Sequence, residues 1–276
     1  MYVLGVLGRE ADDLERATNH LVDYLSMRGR VGVVRYDATI ADGTASTLRE
    51  SGLTAGGEVT YDLGADGDWA ACGTGMRVED ALDALAPRCE YALVLGVPDL
   101  SSPSVVIGDG DDVEGDVLER VSTLGDLDAE AVVSALEATE PYETLESLVS
   151  RVKRDDATDL AGAIATFTGR VRAKESEDDV RTEYLEFEKY DDVADERMAA
   201  IQTELEARDG VYRVELHHRT GVVRDGDDIV FVVVLAGHRD EAFRTVEDGI
   251  NRLKDEVPLF KKEVTVDDEF WVHDRP

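Results

Sequence analysis

Three of the six lysines in this chain lie within one short window, "NRLKDEVPLFKKEV", residues 251–264. Lysine is scarce elsewhere, and the 276 residues include 29 basic and 62 acidic side chains, a net charge of −33. A partly desolvated lysine has a lowered pKa, so its neutral amine becomes available as a nucleophile or base. The window is therefore the first place to look for catalytic chemistry.

The spacing around Lys254 predicts its position on a helix. Four apolar residues recur at helical intervals within "DEAFRTVEDGINRLKDE": Phe243, Val246, Ile250 and Leu253. This period predicts a helix over about 240–256 with one buried face, and Lys254 projects to the edge of that face near Phe243. There it is either a lysine of lowered pKa or an ordinary side chain that covers the core edge.

Pro258 separates this helix from the other two lysines of the window and is expected to end the helix. The alternation in "LFKKEVTV" predicts a strand after it. On that strand Lys261 and Glu263 share one face, either as an ordinary surface pair or as an acid and base tuned for catalysis. Lys262 falls on the other face among apolar neighbours, where the pattern gives it no evident role.

Arginine and histidine residues recur in three further segments of the second half. "FTGRVR", "HHRTG" and "GHRDEAF" supply Arg170, Arg172, His217, His218, Arg219, His238 and Arg239. Each alone is more often a surface charge than a ligand. Strand ends and helix N-termini commonly bind anions, however, and arginine matches phosphate geometry. The set as a whole favours a bound anion.

The elements that position these residues fall into two halves. Over residues 1–140, strand-like runs such as "YVLGVLG" and "YALVLGV" alternate with helical ones, which predicts an α/β domain with a parallel sheet. Residues 141–276 predict an α+β domain with a mainly antiparallel sheet. Within it, "RDGD" predicts a hairpin between strands at 212–223 and 228–237.

Several classes of function are disfavoured. The loop after the first strand, "GREADDLE", lacks the Gly-Lys-Ser/Thr that holds a phosphate. The acidic surface would repel nucleic acid and anionic membranes and is typical of adaptation to high salt. Cys72 and Cys89 lie in no metal-ligand spacing, and His217-His218 lacks an HExxH pattern, so no metal site is expected. No signal peptide or membrane-spanning run is evident, and a cytoplasmic protein is expected.

Four segments together make residues 141–276 resemble the large, catalytic subunit of molybdopterin synthase: "GAIATFTGRVR", "LEFEKYDDVADERM", "HHRTGVVRDGDDIVFVVVLAGHRDEAF" and "LKDEVPLFKKE…WV". The order of elements in residues 1–140 is similar to that of the nucleotide-binding protein B of molybdopterin-guanine dinucleotide biosynthesis, without its phosphate loop. The resemblances imply a degenerate P-loop-like domain followed by a domain of the α/β-hammerhead type.

The first resemblance implies a sulfurtransferase that inserts two sulfurs into cyclic pyranopterin monophosphate to give the molybdopterin dithiolene. The sulfur would arrive as a thiocarboxylate on the Gly-Gly C-terminus of a small ubiquitin-like subunit, in a heterotetramer built on a homodimer. No cofactor beyond the substrate is implied. The alternative is a non-catalytic pterin-binding or anion-binding and docking module of molybdenum cofactor biosynthesis, which would not need the lysine pair.

The same resemblance implies roles for individual residues. Lys254 and Lys261 would be catalytic, with Lys254 near the incoming tail and Glu263 orienting Lys261. Substrate binding would fall to residues in the other matching segments: Arg172, His238, Arg239 and Phe167. The arginines and the histidine would bind the pterin phosphate, with His238 and Arg239 reaching across from the other protomer of a dimer.

Overall fold

The structure is a computed structural model of the 276-residue chain and describes residues 1–36, 59–108, 113, 115–174, 176–266 and 269–272. The chain divides into two compact units, Met1–Tyr142 and Glu143–Pro276. No helix within the described ranges is long and apolar enough to cross a membrane. The two units are built on different kinds of sheet, and each has its own core.

The N-terminal unit is an α/β domain. Its elements in chain order are β1 (Tyr2–Gly8), α1 (Ala11–Leu25), β2 (Val31–Arg35), β3 (Val59–Leu63), β4 (Trp69–Gly73), α2 (Val78–Leu85), β5 (Tyr91–Leu95), β6 (Ser104–Ile107), β7 (Val117–Val121) and α3 (Ala129–Glu137). Five strands form a parallel sheet in the order β2-β5-β1-β6-β7, and β3 and β4 form a separate antiparallel pair. The predicted parallel sheet is confirmed.

The apolar runs of β1 and β5 are continuous because residues of both strands are buried on both faces of the sheet. On one face Leu4 packs with Leu21 of α1, and on the other Val3 packs with Leu82 of α2. Only Arg9 and Glu10 connect β1 to α1. A connection of two residues is too short to wrap around a phosphate as the Gly-rich loop of a nucleotide-binding protein does.

The C-terminal unit is an α+β domain. Its elements are α4 (Leu145–Val152), β8 (Ala163–Arg170), β9 (Thr182–Lys189), α5 (Asp191–Glu206), β10 (Val211–His218), β11 (Gly221–Arg224), β12 (Asp228–Ala236), α6 (Arg239–Glu256), β13 (Leu259–Thr265) and β14 (Glu269–Val272). They form two antiparallel sheets, ordered β10-β12-β8 and β11-β9-β13-β14. The predicted, mainly antiparallel, class is confirmed.

Strand β12 is the centre of this domain. One of its faces packs against the long helices, as Val232 does with Ile250 of α6. The other packs against α4, as Val233 does with Leu148. Burial on both faces explains why "DIVFVVVLA" is apolar almost throughout. A strand with one solvent-exposed face would instead alternate apolar and polar residues.

The hairpin predicted at "RDGD" is confirmed only in part: β10 and β12 do pair antiparallel, but the turn itself does not join these two strands. The expected strand over 212–223 is split into β10 and β11 around Gly221, whose φ of 72° is readily adopted by glycine. Strand β11 pairs with β9, whereas β12 pairs with β10 and β8. The Asp225-Gly226 turn therefore joins strands of different sheets, which a local turn signal cannot distinguish from a hairpin.

Candidate functional site

Helix α6 carries Lys254 on its exposed side. The helix buries six residues: Ala242, Thr245, Val246, Gly249, Ile250 and Leu253. Gly249 lets the helix approach β12 closely, since a Cβ there would lie 3.0 Å from Val232. The buried stripe is thus rotated toward Ala242, and Phe243 is 66% exposed. The predictions that Phe243 is buried and that Lys254 lies at a desolvated core edge are wrong.

Strand β13 carries Lys261 on the buried side of its sheet. Pro258 follows the last turn of α6 and the strand begins directly after it, as predicted. Lys261 lies opposite Phe187 of β9, and Glu263 lies opposite Leu185. Because Phe187 and Leu185 are buried, we call this the inner face of the sheet. Lys261 is half-buried there, on the same face as Glu263, which confirms the predicted alternation.

The charged neighbours of Lys261 on the inner face are engaged with other groups. Thr182 Oγ1 donates a hydrogen bond to Glu263 Oε1 at 2.5 Å. Lys189 Nζ lies 3.1 Å from Asp195 Oδ1, and its side chain is only 8% exposed. The Lys261 side chain has no hydrogen bond or ion pair with any residue that the structure describes, so the expectation that Glu263 orients Lys261 is wrong. Its ammonium group is therefore available to an incoming anion.

Lys262 lies on the opposite face of β13, which we call the outer face. Its Nζ is 2.9 Å from Glu269 Oε2 of β14 and 3.9 Å from Glu186 Oε2 of β9. The hydrogen bond with Glu269 raises the pKa of Lys262. The outer face is partly exposed to solvent, since Phe260 on it is 44% exposed. Lys262, unexplained by the sequence pattern, is thus a cross-strand ion-pair residue.

His238 and Arg239 lie where β12 meets α6, as predicted. His238 is the exposed residue that precedes the first turn, and its side chain makes no capping hydrogen bond. Arg239 is also exposed, with Nε 3.3 Å from Asp240 Oδ1. They stand at the N-terminal end of the helix that carries Lys254 in its last turn. At 1.5 Å per residue, about 22 Å of helix separates Arg239 from Lys254.

Phe167 and Arg172 belong to the β8 segment. Phe167 is half-buried opposite Val232 and packs against the core beneath α6. Arg172 is exposed two residues beyond the end of the strand. Arg170 has a local role, because its guanidinium donates to the Gly226 carbonyl in the turn before β12. Both arginines of "FTGRVR" are therefore at the surface, Arg170 within the β8–β12 ladder and Arg172 beyond its end.

His217 and His218 do not add positive charge to this region at neutral pH. Burial lowers the pKa of each imidazole to about 4. His217 stacks on Phe231, with ring centroids 6.2 Å apart, and His218 meets Phe187 edge to face at 4.7 Å. The expectation that they belong to a cationic set is wrong, because both rings are kept neutral by packing: His218 is buried, and half-buried His217 lies against Phe231.

An open groove of about 400 Å³ adjoins β13. It is lined by Glu188, Lys189, Tyr190, Phe260 and Trp271. Tyr190 and Phe260 meet edge to face, with ring centroids 5.5 Å apart. Lys189 connects the groove to the inner face that carries Lys261. The groove itself lies along the outer face, because Phe260 and Trp271 share that face with Lys262.

Thr182 and Lys189 were missed by sequence reasoning. Lys189 had a signal, since alternation from Leu185 and Phe187 places it on the inner face. Thr182 had none, because a register shift between Val264 and Thr265 changes the alternation at that end of the ladder. A register shift arises from the pairing of two strands, so it cannot be predicted from the sequence pattern of either strand alone.

Solved structures of two kinds are similar to parts of this chain. The molybdopterin synthase of Staphylococcus aureus is 32% identical and covers 49% of this chain and 93% of its own, with a TM-score of 0.43. A MobB protein homologue from Bacillus stearothermophilus is 21% identical and covers 50% of this chain and 97% of its own, with a TM-score of 0.34.

Sequence relatives settle the family. A "Probable molybdopterin synthase" from Haloferax volcanii is 50% identical over 275 residues, which is 100% of both chains. A "Molybdopterin synthase catalytic subunit" from Staphylococcus aureus is 34% identical over 133 residues, 48% of this chain and 85% of that protein. The family described as "MoaE protein" matches residues 137–256. This chain therefore belongs to the molybdopterin synthase family.

Proposed function

We propose that this chain is the sulfurtransferase that builds the molybdopterin dithiolene. A small ubiquitin-like subunit delivers sulfur as a thiocarboxylate on its Gly-Gly C-terminus, and cyclic pyranopterin monophosphate receives two sulfurs. Each transfer exchanges one sulfur for one oxygen: a C–S bond replaces a C–O bond in the pterin side chain, and the tail ends as a carboxylate. The reaction needs a cation for its anionic reactants and a proton donor for the departing oxygen.

The observation that carries this proposal is the position of Lys261. Its side chain is half-buried on the inner face opposite Phe187, and it has no partner among the described residues. An ammonium group in that position attracts a thiocarboxylate or phosphate and can give up a proton, which an always-charged arginine cannot. Lys254 lies in the last turn of α6, just before the Pro258 turn that leads to Lys261, and is the second catalytic lysine.

A second copy of the chain completes the proposed site. His238 and Arg239 are exposed, but about 22 Å of helix separates them from Lys254 in one chain. Two copies arranged around a two-fold axis can place the start of one α6 near the end of the other. We therefore assign the working enzyme as a homodimer that binds two small subunits, with His238 and Arg239 serving the partner's lysines.

The remaining proposed contacts are with the pterin. Arg172 is exposed beyond β8, and its guanidinium suits a phosphate group. Phe167 offers a half-buried ring on the same strand for contact with the flat pterin or with the tail. These contacts would hold the reactants while the lysines act.

A reconstituted reaction tests the proposal. The full chain is mixed with thiocarboxylated small subunit and cyclic pyranopterin monophosphate, and dithiolene formation is followed for the wild type, Lys254→Ala and Lys261→Ala. We expect each substitution to abolish product at unchanged fold, whereas Lys262→Ala, which loses only the ion pairs to Glu269 and Glu186, keeps the wild-type rate. A wild type that binds the pterin but forms no product would support the non-catalytic alternative.

A further inference from the structure

We propose that Thr182 is a positioning residue that holds Glu263 away from Lys261, so that the ammonium group of Lys261 stays free for an anionic reactant. The structural part of this inference concerns one hydrogen bond and can be tested without any enzyme assay. Its consequence for catalysis rests on the proposed function.

Glu263 is placed to neutralise Lys261 unless something restrains it. The two residues are separated by one position on β13 and share the inner face. Their Cα atoms are about 7 Å apart on an extended strand, and both side chains are long enough to meet. An ion pair between them would be an ordinary event. The structure instead has Glu263 Oε1 bonded to the hydroxyl group of Thr182 at 2.5 Å.

Thr182 is held firmly enough to act as this restraint. Its side chain is 5% exposed, and its backbone N–H donates to the Ala173 carbonyl at 2.8 Å. It pairs with Thr265 just past the register shift in the β9–β13 ladder. A β-branched side chain on a fixed backbone has few rotamers. The hydroxyl is therefore preset toward Glu263.

The other charged groups around Lys261 do not replace this arrangement. Lys189 on the inner face of β9 is paired with Asp195, so that carboxylate is already engaged. Lys262 points to the outer face, where it is paired with Glu269. Glu263 is therefore the carboxylate whose position decides whether Lys261 is paired, and the Thr182 hydroxyl decides the position of Glu263.

The test measures how fast acetic anhydride modifies Lys261 in the full chain, read by mass spectrometry of its peptides. Thr182→Val replaces the hydroxyl with a methyl group and keeps the shape, and Thr182→Ala removes both the hydroxyl and the methyl group of threonine. We expect Lys261 to react about two- to fivefold more slowly in either variant, since an ion pair favours the protonated form and leaves less neutral amine to attack the anhydride. The rate should return to the wild-type value in Thr182→Val/Glu263→Gln and stay there in Thr182→Ser.

Exposed Lys254 provides the internal reference, because its modification should not change. Equal Lys261 rates in the wild type, Thr182→Val and Thr182→Ala, at unchanged Tm, overturn the inference. The inference is also overturned if Lys261 in Thr182→Val/Glu263→Gln is modified as slowly as in Thr182→Val, because Glu263 is then not the group that pairs with Lys261.

The same variants give a second readout in the sulfur-transfer reaction. Thr182→Val should raise the KM for the anionic reactants about two- to fivefold, with recovery in the double variant. A merely structural role would lower Tm without this recovery. Failure of the two proposals can be told apart: a wild type without sulfur transfer contradicts the proposed function, whereas the modification rates test Thr182 independently.

Discussion

Lys261 lies directly opposite Phe187 in the β9–β13 ladder, on the inner face of the sheet. The next residue, Lys262, points to the outer face and is paired with Glu269 at 2.9 Å. Two adjacent lysines of one strand therefore have different environments, one beside a buried aromatic ring without a described partner and one in an ion pair. This difference separates the proposed catalytic lysine from a structural one.

Lys261→Arg should abolish turnover while preserving binding. The guanidinium keeps the positive charge but does not release a proton, so sulfur transfer should fall about 10²-fold or more while the Kd of the pterin changes little. The rate of sulfur transfer is measured by stopping the reaction at set times, and the Kd of the pterin is measured by equilibrium titration. Lys262→Arg is the matched control and should keep both values. Full activity in Lys261→Arg would show that charge alone suffices at this position.

Inactive variants should complement each other across the proposed dimer. Lys261→Ala and Arg239→Ala chains, each inactive alone, are co-expressed with different tags. If Arg239 serves the partner's lysine, half of the dimers are mixed and each has one intact site, so about a quarter of the wild-type activity should return. Purified mixed dimers that show no activity would place Arg239 in the same chain's site.

The orientation of α6 can be tested by stability. Leu253→Ala removes a fully buried side chain and should lower the free energy of unfolding by about 2–5 kcal/mol. Phe243→Ala removes a larger side chain that is mostly exposed and should change it by less than about 0.5 kcal/mol. Urea unfolding at constant salt measures both. If Phe243→Ala lowered the free energy of unfolding more than Leu253→Ala, the buried face of α6 would be the one predicted from the sequence, and the observed orientation would be contradicted.

His217 and His218 should make the fold sensitive to mild acid. Burial lowers both pKa values to about 4, whereas an unfolded imidazole titrates near 6.5. As pH falls from 6.5 to 4, the unfolded chain therefore binds protons that the folded chain does not, and stability is lost across that window. Each histidine contributes a loss of about 3 kcal/mol by pH 4. Unfolding midpoints measured from pH 7 to 4 give the slope.

His218→Gln should flatten that slope, whatever its effect at pH 7, because one titrating group is gone. NMR titration of the imidazole protons provides the direct check. Ordinary titration of both rings near pH 6.5 in the folded protein would contradict the account.

The class of each domain could be predicted because it depends on local patterns. Strand-like runs such as "YVLGVLG" that alternate with helical runs are enough to predict an α/β domain with a parallel sheet. The proline at position 258 is enough to predict the end of α6. The helix face was mispredicted because Phe243 looks like a core residue by type. Close packing at Gly249 instead turns the helix toward Ala242, and such packing is a property of the partner surface.

The site could be predicted only in part for a similar reason. Alternation correctly places Lys261 and Glu263 on one face of the strand. It cannot tell which face is buried, because that depends on the partner residues Leu185 and Phe187. The Thr182 contact joins residues 81 positions apart. It depends on a register shift, so no spacing in the sequence indicates it.

The most direct test of the central claim uses ³⁴S in the thiocarboxylate of the small subunit. The full chain, the labelled subunit and cyclic pyranopterin monophosphate react for a single turnover without oxygen, and the pterin product is weighed by mass spectrometry. We predict a product that carries two ³⁴S atoms with the wild type and none with the Lys254→Ala/Lys261→Ala chain. An unlabelled pterin from the wild type, or an equal yield of labelled product from the double variant, would contradict the claim.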